Sequence, residues 1–337
     1  MAPSLVDLDV FLADPTSPAA LDEARKAAES LILTGALVVR DSRAPAEAND
    51  RFLDLFEDYF ALPDEQLRKD ERPELGYQVG VTLENTEKPK CSRDDECQAV
   101  IAGLEPSERP LDMSGDHADP KCRFPYSTAP NVVPEALKET WEGRVDEWGG
   151  FLKQACRPDG GCWPRTGRDG VHRRRSLRVS KLPPSAELTG RSHLLAPTAT
   201  DLGKYGHLNT FVPPARSRAD NSIYAGFHTD LNFLTIHGQS RYPGRQRIPA
   251  KVPEGCLLVQ AGKQLEWLSG GLIKVICNEA TLAYPERPLI RISSTFFWHL
   301  TPDYHLAALP ELRKRAEDRF GAQKSYGEML VGDQVRQ

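Results

Sequence analysis

Between Ile223 and Thr295 the chain passes through five short apolar runs closed by glycine, proline or charged residues, and this texture restricts its second half to a β-rich fold. The runs are Ile223-Tyr-Ala-Gly-Phe227, Phe233-Leu-Thr-Ile-His237, Cys256-Leu-Leu-Val-Gln260, Leu272-Ile-Lys-Val-Ile-Cys277 and Leu289-Ile-Arg-Ile-Ser-Ser-Thr295. Closely spaced strands with such punctuation suggest a sandwich or barrel. Between the first two runs stands His228-Thr229-Asp230. In an alternating strand, residues i and i+2 share a face, so this imidazole and carboxylate can grip one metal ion from one side. A donor pair without thiolate suits a non-heme Fe(II) held by two His and one carboxylate, with positions left open for a co-substrate and dioxygen.

The first 150 residues alternate short strands with amphipathic helices. Ser17-Pro18 offers an N-cap and a first-turn proline, and Leu21, Ala24, Ala28, Leu31 and Ile32 repeat on one helical face. Thr34-Gly35 closes that helix, and Ala36-Leu-Val-Val-Arg40 reads as a buried strand. Phe52, Leu53, Phe56, Tyr59 and Phe60 mark a second helix that Pro63 stops. Gly76-Tyr-Gln-Val-Gly-Val81 reads as a further strand, Leu137, Trp141, Val145, Trp148 and Leu152 as a further helix, and a charged helix closes the chain from about Leu309.

A chain of 337 residues with 39% hydrophobic content can bury one large core or two smaller ones. Its net charge of -5, from 43 basic and 48 acidic residues, creates no global field for nucleic acid or an acidic membrane. Met1 to Ser17 lacks the basic start and apolar stretch of a secretory signal, and no apolar run is long enough to span a bilayer. The expected compartment is cytoplasmic. Seven cysteines form neither a CxxC pair nor a zinc-spaced cluster, so reduced thiols are expected, with Cys256 and Cys277 acting as small hydrophobes.

The order of His-x-Asp, then Gln260-Ala-Gly-Lys-Gln-Leu-Glu-Trp-Leu-Ser-Gly-Gly271, then Arg291-Ile-Ser293 resembles the isopenicillin N synthase-like branch of the 2-oxoglutarate/Fe(II)-dependent oxygenases. The resemblance covers about four-fifths of the chain, since the N-terminal third is similar to the region that precedes the catalytic barrel in that branch. It implies an α+β fold with a mainly β core, a double-stranded β-helix (jelly roll) with iron near its open end. It further implies that His228 and Asp230 are two of three metal ligands, and that Arg291 and Ser293 hold the far carboxylate of 2-oxoglutarate. A guanidinium fork matches a carboxylate bidentately, and a hydroxyl two residues on shares its strand face.

One departure concerns the metal itself. The slot of the third ligand, just before a Glu in the strand after Ser269-Gly-Gly271, holds Asn278. An amide oxygen is a weaker donor to Fe(II) than an imidazole nitrogen. Three arrangements stand open: Asn278 with water, a rearrangement that recruits Glu279 or His299 through a bulge or shifted register, or no physiological iron. His237 reads as a strand residue facing a neighbour.

Other departures concern length and composition. The link from Tyr242-Pro-Gly244 to Arg247-Ile-Pro-Ala-Lys251 is short for the branch. Residues 156–190, with Arg173, Arg174, Arg175 and Arg178, lose helical periodicity and read as an irregular basic insert. Phe211-Val-Pro-Pro-Ala-Arg-Ser-Arg-Ala-Asp220 also lacks periodicity. The expected organisation is therefore an N-terminal region 1–155, the insert 156–190, a jelly-roll domain 191–308 and a C-terminal helix and tail 309–337. The expected activity is that of an Fe(II)- and 2-oxoglutarate-dependent oxidoreductase acting with dioxygen on a small organic molecule, an activity that Asn278 stands to impair. The alternative is a catalytically silent barrel kept as a binding or scaffold module.

Overall fold

The computed structural model describes residues 2–44, 47–75, 77, 80–88, 94–106, 109–110, 118, 122–127, 133–141, 145, 147–155, 202–212, 223–238, 252–253, 255–281 and 293–336. The chain opens with β1 (Leu5–Asp7), α1 (Leu8–Ala13), α2 (Pro18–Thr34) and β2 (Ala36–Arg40). The Ser17 hydroxyl caps α2 by accepting the Ala20 N–H at 3.2 Å, with Pro18 in the first turn. Gly35 ends it at φ 68°, where a Cβ would lie 2.7 Å from Ile276 Cγ1 and from the Lys274 carbonyl. Next come α3 (Ala48–Phe60), α4 (Asp64–Leu67), α5 (Asp95–Ala102), β3 (Cys122–Ser127) and α6 (Glu147–Ala155). The second half carries β4 (Leu202–Val212), β5 (Ile223–Thr229), β6 (Leu234–His237), β7 (Cys256–Ala261), α7 (Lys263–Leu268), β8 (Cys277–Thr281) and β9 (Ser293–Leu300). It finishes with β10 (His305–Leu306), α8 (Pro310–Phe320), β11 (Met329–Leu330) and α9 (Val331–Arg336).

Among the described residues, seven strands form one sheet in the order β1-β2-β7-β6-β9-β4-β3, antiparallel except for β1 with β2, while β5 pairs with β8 in a second sheet of two strands. Registers show how the large sheet divides its faces. Leu37 pairs with Val259, Val259 with Ile236 and Ile236 with Phe296, and this row is buried against Phe52, Phe56, Tyr59, Trp148 and Leu152 of α3 and α6. Each such apolar side chain contributes roughly 1.5–3 kcal/mol when fully buried. The opposite face carries Thr235, His237, Gln260, Thr295 and Ser293, because paired residues point the same way and alternate residues oppose. A mainly β core flanked by helices agrees with the α+β expectation.

Several expectations need correction. Leu272 and Ile273 are buried, 1% and 4% exposed, yet they lie in a turn, and the strand begins only at Cys277. The Ser269 hydroxyl accepts the Ile273 N–H at 3.1 Å and Gly270 and Gly271 take φ 60° and 83°, so the apolar run is buried without being extended. Helix α7 occupies the segment just before it. Leu137 closes a 3-10 turn, while Trp141, Val145, Trp148 and Leu152 are helical as expected, with 142–144 and 146 outside the described residues, and all five markers are buried. Phe211 and Val212 end β4 and so belong to the sheet, while 213–220 fall outside the described residues. Of Gly76 to Val81, only Tyr77, Gly80 and Val81 are described, and Val81 makes a single bridge to Glu71. Cys97 is disulfide-bonded, which departs from the expectation of reduced thiols throughout, whereas Cys122 and Cys256 are free. Burial in an apolar cluster explains Cys256; the side chain of Cys277 lies outside the described residues. Residues 156–190 and the link 242–251 lie outside them as well.

Candidate metal centre

The pair at the end of β5 is held by one hydrogen bond behind each side chain. His228 Nδ1 lies 2.7 Å from the Gly226 carbonyl, which can only accept, so Nδ1 carries a hydrogen and, in the neutral ring, Nε2 keeps its lone pair. That Nε2 faces Asp230 Oδ1 at 3.5 Å. The other oxygen, Oδ2, accepts from the Thr235 hydroxyl at 2.6 Å, and Thr235 Oγ1 in turn accepts from Asn232 Nδ2 at 2.9 Å. Asn232 and Thr235 are fully buried and Asp230 is 7% exposed. Burial alone pushes the Asp230 carboxyl up, but His228, the Thr235 bond and the nearby charge of His237 outweigh it, leaving the group below the usual carboxylate value.

The turn that follows is stapled to the start of α7. Lys263 N–H donates to the Asp230 carbonyl at 2.8 Å, Gln264 N–H to that of Asn232 at 3.1 Å, and Gly262 N–H to that of Phe233 at 3.0 Å. Only glycine fits at 262, since a Cβ there would lie 2.0 Å from the Asn232 carbonyl oxygen. At the other end of α7, Glu266 accepts from Val275 N–H and from the Tyr326 hydroxyl, both at 2.9 Å, with Lys324 Nζ at 3.3 Å. The approach to β8 is thereby tied to the C-terminal tail.

The register of β5 with β8 sets Asn278 directly across from His228, after an irregularity between Ala225 and His228. Its side chain and that of Glu279 lie outside the described residues, as does Arg291 entirely. Ser293 is the first residue of β9, 6% exposed, on the polar face of the large sheet. His299 sits further along β9, with Gln264 Nε2 3.5 Å from its Nδ1; burial lowers its pKa to about 4, and the charge of Asp230 partly offsets this. Among the described residues, no group of three His, Cys, Asp or Glu side chains is placed to hold a metal ion. His237 faces a neighbour: its Nε2 donates to Gln260 Oε1 at 2.6 Å, while the Thr295 hydroxyl lies 3.3 Å from Nδ1. Sequence reasoning missed Thr235, Asn232, Gln260 and Thr295. The signal was present in part, because Thr235 and His237 are polar at alternate positions of an otherwise apolar strand.

An imidazole held at Nδ1 by Gly226 and a carboxylate held at Oδ2 by Thr235, with Nε2 and Oδ1 3.5 Å apart, are the kind of donors a single ion takes, each oriented by a partner behind it.

No protein-family model matches this chain, and no curated protein does. Solved structures do match in fold. A protein from Caulobacter crescentus assigned to the 2OG-Fe(II) oxygenase family aligns over 99% of this chain and 97% of its own, with TM-score 0.61 at 18% identity. A full-length Neurospora crassa protein in complex with alpha-KG and thymine aligns over 99% and 95%, with TM-score 0.60 at 16% identity. A rice dioxygenase for auxin oxidation aligns over 100% and 94%, with TM-score 0.56 at 14% identity. The chain therefore shares the fold of 2OG-Fe(II) oxygenase structures over nearly its whole length. No described helix is long and apolar enough to cross a membrane.

Proposed function

We propose that this chain is a non-heme Fe(II)- and 2-oxoglutarate-dependent oxygenase of the isopenicillin N synthase-like branch, built on a jelly roll and acting on a small organic molecule. The observation that carries the reading is the convergence of His228 Nε2 and Asp230 Oδ1, each fixed from behind by Gly226 and Thr235. Likeness of fold to proteins crystallised with alpha-KG supports the co-substrate. His228, Asp230 and the Asn278 amide would hold the ion, and Arg291 with Ser293 the far carboxylate of 2-oxoglutarate. When bound, iron and 2-oxoglutarate supply the means to couple decarboxylation to succinate with oxidation of a substrate bond by dioxygen. The chain's own part is positional. Gly226 keeps His228 in the tautomer that offers Nε2, and Thr235 turns Asp230 so that Oδ1 faces that nitrogen.

Anaerobic titration with Fe(II) and 2-oxoglutarate tests this. The expected result is a weak visible charge-transfer band that needs both components and is lost in His228→Ala. Arg291→Lys should weaken 2-oxoglutarate by about 1.5–3 kcal/mol, roughly ten- to a hundredfold, because a point charge loses the guanidinium fork. Absence of the band in folded wild type would sink the reading and favour a silent barrel.

A further inference from the structure

The polar face of the large sheet continues past β9. Ser293 pairs with Phe211 of β4, and Phe211 with Arg123 of β3, so these positions form one row on one face. Thr82 extends the row: its N–H donates to the Arg123 carbonyl at 2.8 Å, and the Arg123 N–H returns the bond at 2.9 Å. Val81, Leu83 and Phe124, the chain neighbours of this pair, are packed in the helical core. Thr82 and Arg123 therefore project to the opposite face, that of Ser293.

The Thr82 side chain is buried, that of Arg123 is nearly so, and both are incompletely satisfied. The Arg123 side chain is 11% exposed; its Nη2 contacts Glu87 Oε1 at 2.5 Å and the Tyr77 carbonyl at 3.2 Å, but its Nε has no partner. The hydroxyl of Thr82, a residue only 1% exposed, has none either. Native proteins leave few such groups, because each costs about 1–3 kcal/mol when unpaired in the interior. Here two stand on directly paired residues. The Tyr77 backbone, whose carbonyl Arg123 holds, lies at φ 57°, uncommon for a bulky side chain and the kind of strain that collects at binding sites. Nε–H can only donate and the hydroxyl can donate beside it, which matches an oxygen with two lone pairs. Glu87 already balances the guanidinium charge, so a second carboxylate would meet repulsion.

We propose that Thr82 and Arg123 form a subsite that takes a neutral carbonyl oxygen of the organic substrate, at the end of the row that begins at Ser293. This rests on the oxygenase reading for the word substrate, but the contact is tested without metal. Calorimetric titration or saturation-transfer NMR would compare benzamide and benzoate, planar probes of similar shape that differ in charge, on wild type, Thr82→Val and Arg123→Lys. Benzamide should bind wild type, with its Kd raised about fivefold or more in either variant, the effect of one lost hydrogen bond. Benzoate should bind wild type more weakly than benzamide. Thr82→Val removes an unpaired hydroxyl, so its stability should be unchanged or higher, and lost binding there cannot be put down to misfolding. Equal benzamide affinity in wild type and Thr82→Val, no benzamide binding to wild type, or tighter benzoate than benzamide would each overturn the proposal. Failure of the iron titration with these results intact would sink the oxygenase reading and leave the subsite standing.

Discussion

Thr235 Oγ1 donates to Asp230 Oδ2 at 2.6 Å, and this one contact leaves Oδ1 as the oxygen turned toward His228 Nε2. The hydroxyl has a single proton and commits it to the carboxylate, while Asn232 fills its acceptor side. Carboxylate orientation at the candidate centre is thus set from β6, a strand of the other sheet.

Thr235→Val should destabilise the protein by about 1.5–3 kcal/mol, the range for a hydrogen bond to a charged group, and should weaken divalent metal binding as Asp230 loses its anchor. Thr235→Ser should restore most of both. Urea unfolding and Co(II) titration of the two variants check this; equal behaviour of Val and Ser would show that the hydroxyl does not orient Asp230.

His299 gives stability a distinct pH dependence. Its pKa is about 4 in the folded chain against an ordinary 6.5, so below pH 6.5 the unfolded chain takes up a proton that the folded chain refuses. The contribution is fully present above pH 6.5 and falls as pH drops toward 4. One proton corresponds to about 1.4 kcal/mol per pH unit, so the loss approaches roughly 3 kcal/mol. Urea unfolding across this window should be flatter for His299→Gln than for wild type, and parallel curves would contradict the burial of this imidazole.

Gly262→Ala should cost about 3 kcal/mol, since the new Cβ meets the carbonyl oxygen and Oδ1 of Asn232 at 2.0 and 2.3 Å and backbone must move. The shift falls on the turn that carries Asp230, so metal affinity should fall with stability. A thermal melt and a Co(II) titration on one preparation would show both losses, whereas a wild-type melt would mean that the turn yields at little cost.

Asn278→His tests the proposed third ligand. With residue 278 across from His228 in the sheet register, an imidazole there should raise Co(II) or Fe(II) affinity about tenfold or more, in the range seen when the support of a ligand changes. Equal affinity in folded mutant and wild type would remove Asn278 from the proposed ligand set.

What the sequence made legible was local. Ser17-Pro18 and Gly35 fix the ends of α2 because caps depend on a few adjacent atoms, and Cys256–Ala261 shows its strand through a wholly buried run. Strand β4 escaped notice because Leu202–Val212 interleaves Gly, Lys, His and Asn, and its place between β9 and β3 is set by partners far away in sequence. Likewise Pro125 hides β3, a strand at the end of the sheet order, where a missing N–H is tolerated. At the candidate centre His228 and Asp230 were visible through i, i+2 spacing. Asn232, Thr235 and Gln264 were not, since nothing in their own neighbourhood says that a turn of α7 and a neighbouring strand will meet there.

The bond from Tyr326 to Glu266 spans sixty residues, and the Ser294 hydroxyl reaches Asn49 across 245. During synthesis, β5 to β8 leave the ribosome while Tyr326 and Lys324 are still unmade. Until then the Glu266 carboxylate has the Val275 N–H on Oε2, while Oε1 faces water in place of Tyr326 and Lys324. The contacts that Glu266 makes are thus complete only after Lys324 and Tyr326 have been added, later than β5 to β8.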